Sequence, residues 1–139
     1  MAGPSRSLTE GEIVLAQSVF GDAIDYRRVR VCHHKWAFFQ PRRVVMAAPQ
    51  SLQGLFIHEM THVWQAQTRG RWYLVLMRHP FATYHYSLKP GWQLHRYGLE
   101  QQAEIVRHYW LLTQGVTIGG APGVEAYRAI LPFAGLRKG

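Results

Sequence analysis

The sequence predicts a small α+β domain in which a short antiparallel or mixed sheet packs on two long helices. Two segments repeat apolar residues at helical spacing, two others are typical of short strands, and no linker divides the 139 residues. An apolar fraction of 47% and a charged fraction of 17% are typical of a globular chain. We therefore expect residues 1–139 to form a single domain, with residues 1–7 as a flexible tail.

The first half of the chain predicts one helix and both strands. Thr9 followed by Glu12 is a capping-box pattern, which predicts a helix that continues to about Phe20. Residues 28–33 alternate in polarity, and residues 43–48 are mainly apolar and lie between prolines. Both segments are therefore predicted to be strands.

The second half is predicted to be mainly helical. Apolar spacing predicts helices over residues 51–67 and 93–114. Residues 72–79 and 124–131 predict shorter helices, the last after a glycine-rich loop at residues 115–123. The core faces of the two long helices are expected to consist of Leu52, Phe56, Met60 and Val63 in the first, and of Leu99, Ala103, Val106 and Trp110 in the second.

Charge and cysteine content restrict the partners and the compartment. The net charge of +8 favours anionic partners such as an acidic protein, whereas no motif supports nucleic acid. A single cysteine excludes an internal disulfide. The N-terminus lacks the apolar core of a signal peptide, and no segment approaches the ~20 apolar residues of a transmembrane helix. We expect a cytoplasmic protein, or one exported by a secretion machine.

The segment His58-Glu59-Met60-Thr61-His62 is an H-E-x-x-H pattern on a predicted helix. Because positions four apart share one helix face, both imidazoles can reach a single Zn²⁺ ion. Glu59 would then lie beside the first ligand as the catalytic base. In a chain with eight histidines, chance would produce this pattern only about 0.02 times. The segment therefore predicts a zinc site.

A catalytic zinc site needs a third protein ligand. A histidine six residues after His62 is excluded, because that position is Thr68. Glu100 and Glu104 share one face of the second long helix. Glu100 is thus a candidate ligand, and Glu104 a candidate acceptor for the N–H of a ligand histidine. The alternatives are the downstream histidines His79, His85 and His95.

The combination of HEMTHVWQ at residues 58–65 with EQQAEI at residues 100–105 resembles the gluzincin clan of metallopeptidases. In that clan H-E-x-x-H is completed by Glu-x-x-x-Asp or Glu-x-x-Ala-Asp. More closely, the chain resembles bacterial zinc metallopeptidases of the Vgr-related or Rhs-associated type, and FGDAIDYRRVRV at residues 20–31 looks like the N-terminal segment of such domains. The resemblance spans most of residues 8–110.

The resemblance implies a zincin-like fold, a Zn²⁺ cofactor and a link to secretion systems or polymorphic toxins. It also implies that His58, His62 and Glu100 are the zinc ligands and that Glu59 is the base. The chain departs from the pattern at Glu104, where many clan members have Asp. The resemblance does not supply a substrate.

The expected reaction is hydrolysis of a peptide bond in a peptide or protein, with a further donor stabilising the negative transition state. The edge of strand 43–48 could bind the peptide. The candidate donors lie between the two motif helices and are Tyr84, His85, Tyr86, His95 and Tyr97.

Two other interpretations remain open. A non-catalytic adaptor would keep a structural metal and bind an anionic partner, such as a secretion-system component, through its basic surface. Alternatively, the domain is a toxin or effector, in which case an acidic immunity protein would suit the charge of +8. The effector interpretation is compatible with the hydrolase.

Overall fold

The computed structural model describes residues 5–32, 50–70 and 84–133. These residues form a two-stranded antiparallel sheet and four α-helices, which confirms the α+β class. No helix in these three ranges is both long and apolar enough to cross a membrane. The predicted strand 43–48 and helix 72–79 lie outside the described residues. The elements are β1 (Ser5–Ser7), α1 (Glu10–Phe20), β2 (Arg30–Cys32), α2 (Gln50–Arg69), α3 (Leu99–Thr113) and α4 (Val124–Arg128).

The N-terminal segment is tied to the domain through Glu12. The predicted capping box of α1 is present, because Thr9 Oγ1 accepts from the Glu12 N–H and the Glu12 carboxylate accepts from the Thr9 N–H. The same buried carboxylate pairs with Arg6 at 2.7 and 2.9 Å. This pair holds β1 beside β2, with Arg6 opposite Val31. Ser5–Ser7, at the end of the segment expected to be a tail, thus form a strand that is too short to show a period of two.

The core forms where α2 packs against α3. Phe56 and Met60 of α2 are buried, and Ala103 of α3 is fully buried, so its small side chain lets the helices approach closely. The predicted stripe of α3 is confirmed at all four positions. This contact holds the histidine face of α2 against the start of α3.

Helix α3 begins later than the predicted residue 93. Leu94–Arg96 forms a 3-10 turn, and α3 starts after Gly98, whose N–H donates to Gln101 Oε1 at 2.8 Å. Glu100 consequently lies in the first turn of α3, where the helix dipole favours a negative charge. The last helix also ends earlier than predicted, at Arg128.

Gly54 lies inside α2 and offers a test of the packing between the helices. A Cβ at this position would lie 3.4 Å from Arg107 Nε and 3.6 Å from Leu111 Cδ2, which are ordinary contacts. We expect Gly54→Ala to raise the free energy of unfolding by about 0.5–1 kcal/mol, because alanine is the better helix former. Urea denaturation of both proteins measures the difference, and a lower stability of the variant would contradict this packing.

Candidate metal centre

Two histidines and one glutamate meet in the interface between α2 and α3. His58 and His62 lie one turn apart on α2, and Glu100 reaches them from the first turn of α3. Glu100 Oε1 is 3.1 Å from His58 Nε2 and 2.9 Å from His62 Nε2. The three residues are only 6%, 5% and 7% exposed. The potential ligand atoms lie within 4.8 Å of one another, so the group could hold a metal ion.

The second ring nitrogen of each imidazole, Nδ1, is also hydrogen-bonded. His58 Nδ1 donates to Glu104 Oε2 at 2.8 Å, and Glu104 is in turn paired with Arg107 at 3.1 Å. His62 Nδ1 donates to the side-chain oxygen of Gln65 at 2.8 Å. A carboxylate and an amide oxygen can only accept, so both rings carry their proton on Nδ1. Their Nε2 atoms therefore face the common point occupied by Glu100 Oε1, and each offers a lone pair there when it carries no proton.

This arrangement fits a divalent cation. When neither Nε2 carries a proton, the two nitrogens and the carboxylate oxygen are three buried acceptors, which need a positive charge between them. A tetrahedral ion with ligands at roughly 2.0–2.1 Å separates them by about 3.3 Å. The distances of 2.9 and 3.1 Å between the nitrogens and the oxygen are close to that separation. Small side-chain movements would therefore be sufficient to admit an ion.

The surrounding carboxylates favour positive charge in this site. Burial by itself would lower the pKa of His58, but the hydrogen bond and charge of Glu104, with two further glutamates, raise it. Burial would raise the pKa of Glu104, but its bond to His58 and the charge of Arg107 lower it. Glu104 is consequently an ionised acceptor at neutral pH, as its hydrogen bonds require.

Glu59 lies next to the first histidine and is only partly buried. Within the described ranges, its carboxylate makes no hydrogen bond or ion pair, so it is free to contact a bound molecule. The ring of Tyr84 stacks on His58 with a centroid distance of 5.9 Å and an interplanar angle of 30°. Tyr84 is 55% exposed, so it lies at the surface beside His58.

A cavity of about 850 Å³ opens beside Tyr84 and Glu104. Its wall includes a hydrogen-bonded group in which the Tyr86 hydroxyl lies 2.7 Å from both His108 Nδ1 and the Tyr127 hydroxyl. Burial raises the pKa of both tyrosines and lowers that of His108, so all three are neutral at pH 7. Tyr84 and Glu104, which both contact His58, line this cavity, whereas His58, His62 and Glu100 are not among its lining residues.

Among the five predicted donors, the structure brings Tyr84 against His58. The side chain of His85 is exposed, and its backbone carbonyl accepts from Gln101. His95 is exposed on the 3-10 turn, and buried Tyr97 accepts the Lys89 N–H through its hydroxyl. Of the alternative third ligands, His79 lies outside the described residues, and neither His85 nor His95 belongs to the converging group.

Sequence reasoning missed several residues that surround the histidines. Gln65 lies three positions after His62 and therefore on the same side of α2, a spacing that could have identified it. Arg107 follows Glu104 by three positions and supports its charge. His108 lies 3.8 Å from Glu104, one turn earlier on α3. Its hydrogen-bond partner Tyr86 is distant in the chain, so sequence spacing did not reveal that contact.

Comparisons with known proteins identify relatives of the chain. No protein-family model matches the chain. The type VI secretion system spike protein VgrG2b of Pseudomonas aeruginosa is 42% identical, over 79% of this chain and 13% of that protein, so the chain spans only a small part of its length. The solved effector domain of Pseudomonas aeruginosa VgrG2b matches with a TM-score of 0.65 and 32% identity, over 93% of this chain and 85% of that one. The chain therefore belongs to the family of the VgrG2b effector domain.

Proposed function

We propose that the chain is a zinc-dependent peptide-bond hydrolase that acts as a secretion-system effector. The observation that carries this proposal is the buried convergence of His58 Nε2, His62 Nε2 and Glu100 Oε1, with both Nδ1 atoms bonded away from the centre. Imidazole nitrogens with one carboxylate oxygen are a ligand set that catalytic Zn²⁺ uses in hydrolases. The H-E-x-x-H pattern and the effector-domain family support the same function.

Each residue has a separate role in the proposed reaction. His58, His62 and Glu100 would hold the ion, and Glu104 would fix the ring of His58. When bound, Zn²⁺ supplies Lewis acidity that polarises a carbonyl oxygen and acidifies water. Glu59 would accept the proton of the attacking water and then deliver it to the leaving amine. Its lack of a partner among the described residues supports this role.

Tyr84 is the best placed of the predicted donors to stabilise the developing negative oxygen. Its exposed ring is stacked on His58, so a small rotation could direct the hydroxyl to a bound carbonyl. The adjacent cavity of about 850 Å³ would then receive a side chain of the peptide substrate.

The number of ligands favours an enzyme over a metal-stabilised adaptor. A structural zinc site is closed by four protein ligands, whereas a catalytic site keeps one position open. Within residues 5–32, 50–70 and 84–133, the converging group contains three residues, His58, His62 and Glu100. An open fourth position is what hydrolysis requires.

The biological setting is proposed from the relatives. Since VgrG2b is a type VI secretion system spike protein, we propose that this chain is exported with such a machine. A peptide or protein would be its substrate. An acidic immunity protein remains the partner that best suits the charge of +8, whereas nucleic acid has no support from a motif.

Removal and return of the metal tests the function. We expect the purified chain to cleave members of a mixed-sequence peptide library, to lose this activity after treatment with a chelator, and to regain it with one equivalent of Zn²⁺. Mass spectrometry of the library identifies the cleaved bonds. Magnesium added after the chelator is the control, because nitrogen ligands suit zinc and not magnesium. Cleavage that survives complete zinc removal would contradict the proposal.

A further inference from the structure

We propose that Gln65 is a positioning residue for the metal site, which fixes the proton position of His62 through a chain of amides. This inference rests on the proposed metal site but not on the identity of the substrate. Gln65 is fully enclosed, with only 2% of its surface exposed. Its oxygen accepts from His62 Nδ1 at 2.8 Å, on the side of the ring that faces away from Glu100.

The direction of the amide chain follows from its last member. A backbone carbonyl can only accept, so Gln102 must turn its nitrogen to the Tyr97 carbonyl, 2.8 Å away. The oxygen of Gln102 then accepts from Gln65 Nε2 at 3.1 Å. The Gln65 nitrogen also donates to the Leu99 carbonyl at 3.1 Å. The Gln65 oxygen is left facing His62, which must therefore donate from Nδ1.

Burial makes this direction difficult to reverse. If the Gln65 amide rotated by half a turn, its oxygen would face the two acceptors of Leu99 and Gln102, and its nitrogen would face the Nδ1–H of His62. Gln102 is also buried, so water has little access to replace the lost bonds. Nε2 of His62 is consequently the nitrogen directed at the metal position, before any ion binds.

The same side chain also joins the two helices that supply the ligands. The Leu99 carbonyl belongs to the peptide group that continues into Glu100, so Gln65 contacts both His62 and the backbone beside the third ligand. Glu104 performs the corresponding function for His58 with a charge, whereas Gln65 uses a neutral amide. Loss of such an outer partner, a residue that hydrogen-bonds a metal ligand without touching the metal, typically weakens metal binding by about 10–100-fold.

The test compares zinc affinity of the wild-type chain with that of Gln65→Met, which keeps the side-chain length without hydrogen-bonding groups. Gln67→Met is the matched control, because Gln67 lies on the same helix and also makes two bonds, to the backbone of Asp25. Competition with a chromophoric chelator should show zinc binding weakened about 10–100-fold in Gln65→Met and unchanged in Gln67→Met. Equal affinity of both variants would overturn the inference.

A second measurement needs no variant. In the zinc-loaded wild-type chain, nitrogen-15 NMR should show that His62 binds through Nε2 and carries a slowly exchanging proton on Nδ1. Coordination through Nδ1, or a rapidly exchanging proton there, would overturn the inference even if Gln65→Met failed to fold. Both experiments measure zinc rather than cleavage, so a chain that binds zinc as described but hydrolyses nothing would contradict only the proposed function. A wild-type chain that binds no zinc would overturn both.

Discussion

The Glu59→Gln variant is expected to lose peptide cleavage by about 10²–10⁴-fold and to keep its zinc affinity. The amide has nearly the shape of the carboxylate but cannot accept a proton from water at neutral pH. Glu59 does not belong to the group of three converging side chains, so the ligands themselves are unchanged. The measurements are kcat/KM for peptides that the wild-type chain cleaves, and the zinc dissociation constant of each protein.

Glu10→Gln is the matched control for this experiment, because Glu10 is an exposed glutamate on α1. It undergoes the same chemical change away from the histidines, so its activity should equal that of the wild type. If Glu59→Gln cleaved peptides as fast as Glu10→Gln, Glu59 would not be the base. If neither the wild type nor the variants cleaved any peptide while all bound zinc, the adaptor interpretation would be favoured.

Replacing Glu100 with Gln is expected to weaken zinc binding by more than the roughly 10–100-fold caused by loss of an outer partner. The change keeps the size of the side chain but removes the negative charge, the charge that lies between the two Nε2 atoms at 3.1 and 2.9 Å. An amide nitrogen turned toward the rings would also occupy their lone pairs. Competition with a chelator and metal analysis of the purified proteins measure the loss.

Thermal unfolding gives an independent measurement of the same change. Free zinc at about 100 times the dissociation constant stabilises a folded chain by about 2.7 kcal/mol, so zinc should raise the Tm of the wild type by several degrees. The Tm of Glu100→Gln should respond little at the same concentration. Glu125→Gln, which changes an exposed glutamate on α4, should respond as the wild type does. An equal response of all three proteins would show that Glu100 does not hold the ion.

The sequence predicted the elements that are stabilised by residues close to one another in the chain. The capping box of Thr9 and Glu12 and the core stripe of α3 are both present, because capping and helical periodicity are properties of short segments. The start of α3 was predicted six residues too early, since the capping arrangement of Gly98 with Gln101 has no signal as strong as a serine or threonine cap. Strand β1 was missed because its partner is distant in the chain.

The same distinction applies to the candidate site. That His58 and His62 share a helix face follows from the four-residue spacing alone, because a helix has 3.6 residues per turn. That Glu100 reaches both rings depends on the packing of α2 against α3 around Ala103, which no periodicity reveals. The amide chain of Gln65 and Gln102 likewise depends on tertiary packing. The bonds from Gln65 to Leu99 and Gln102 join residues more than thirty positions apart, and such pairs meet only after the helices have packed.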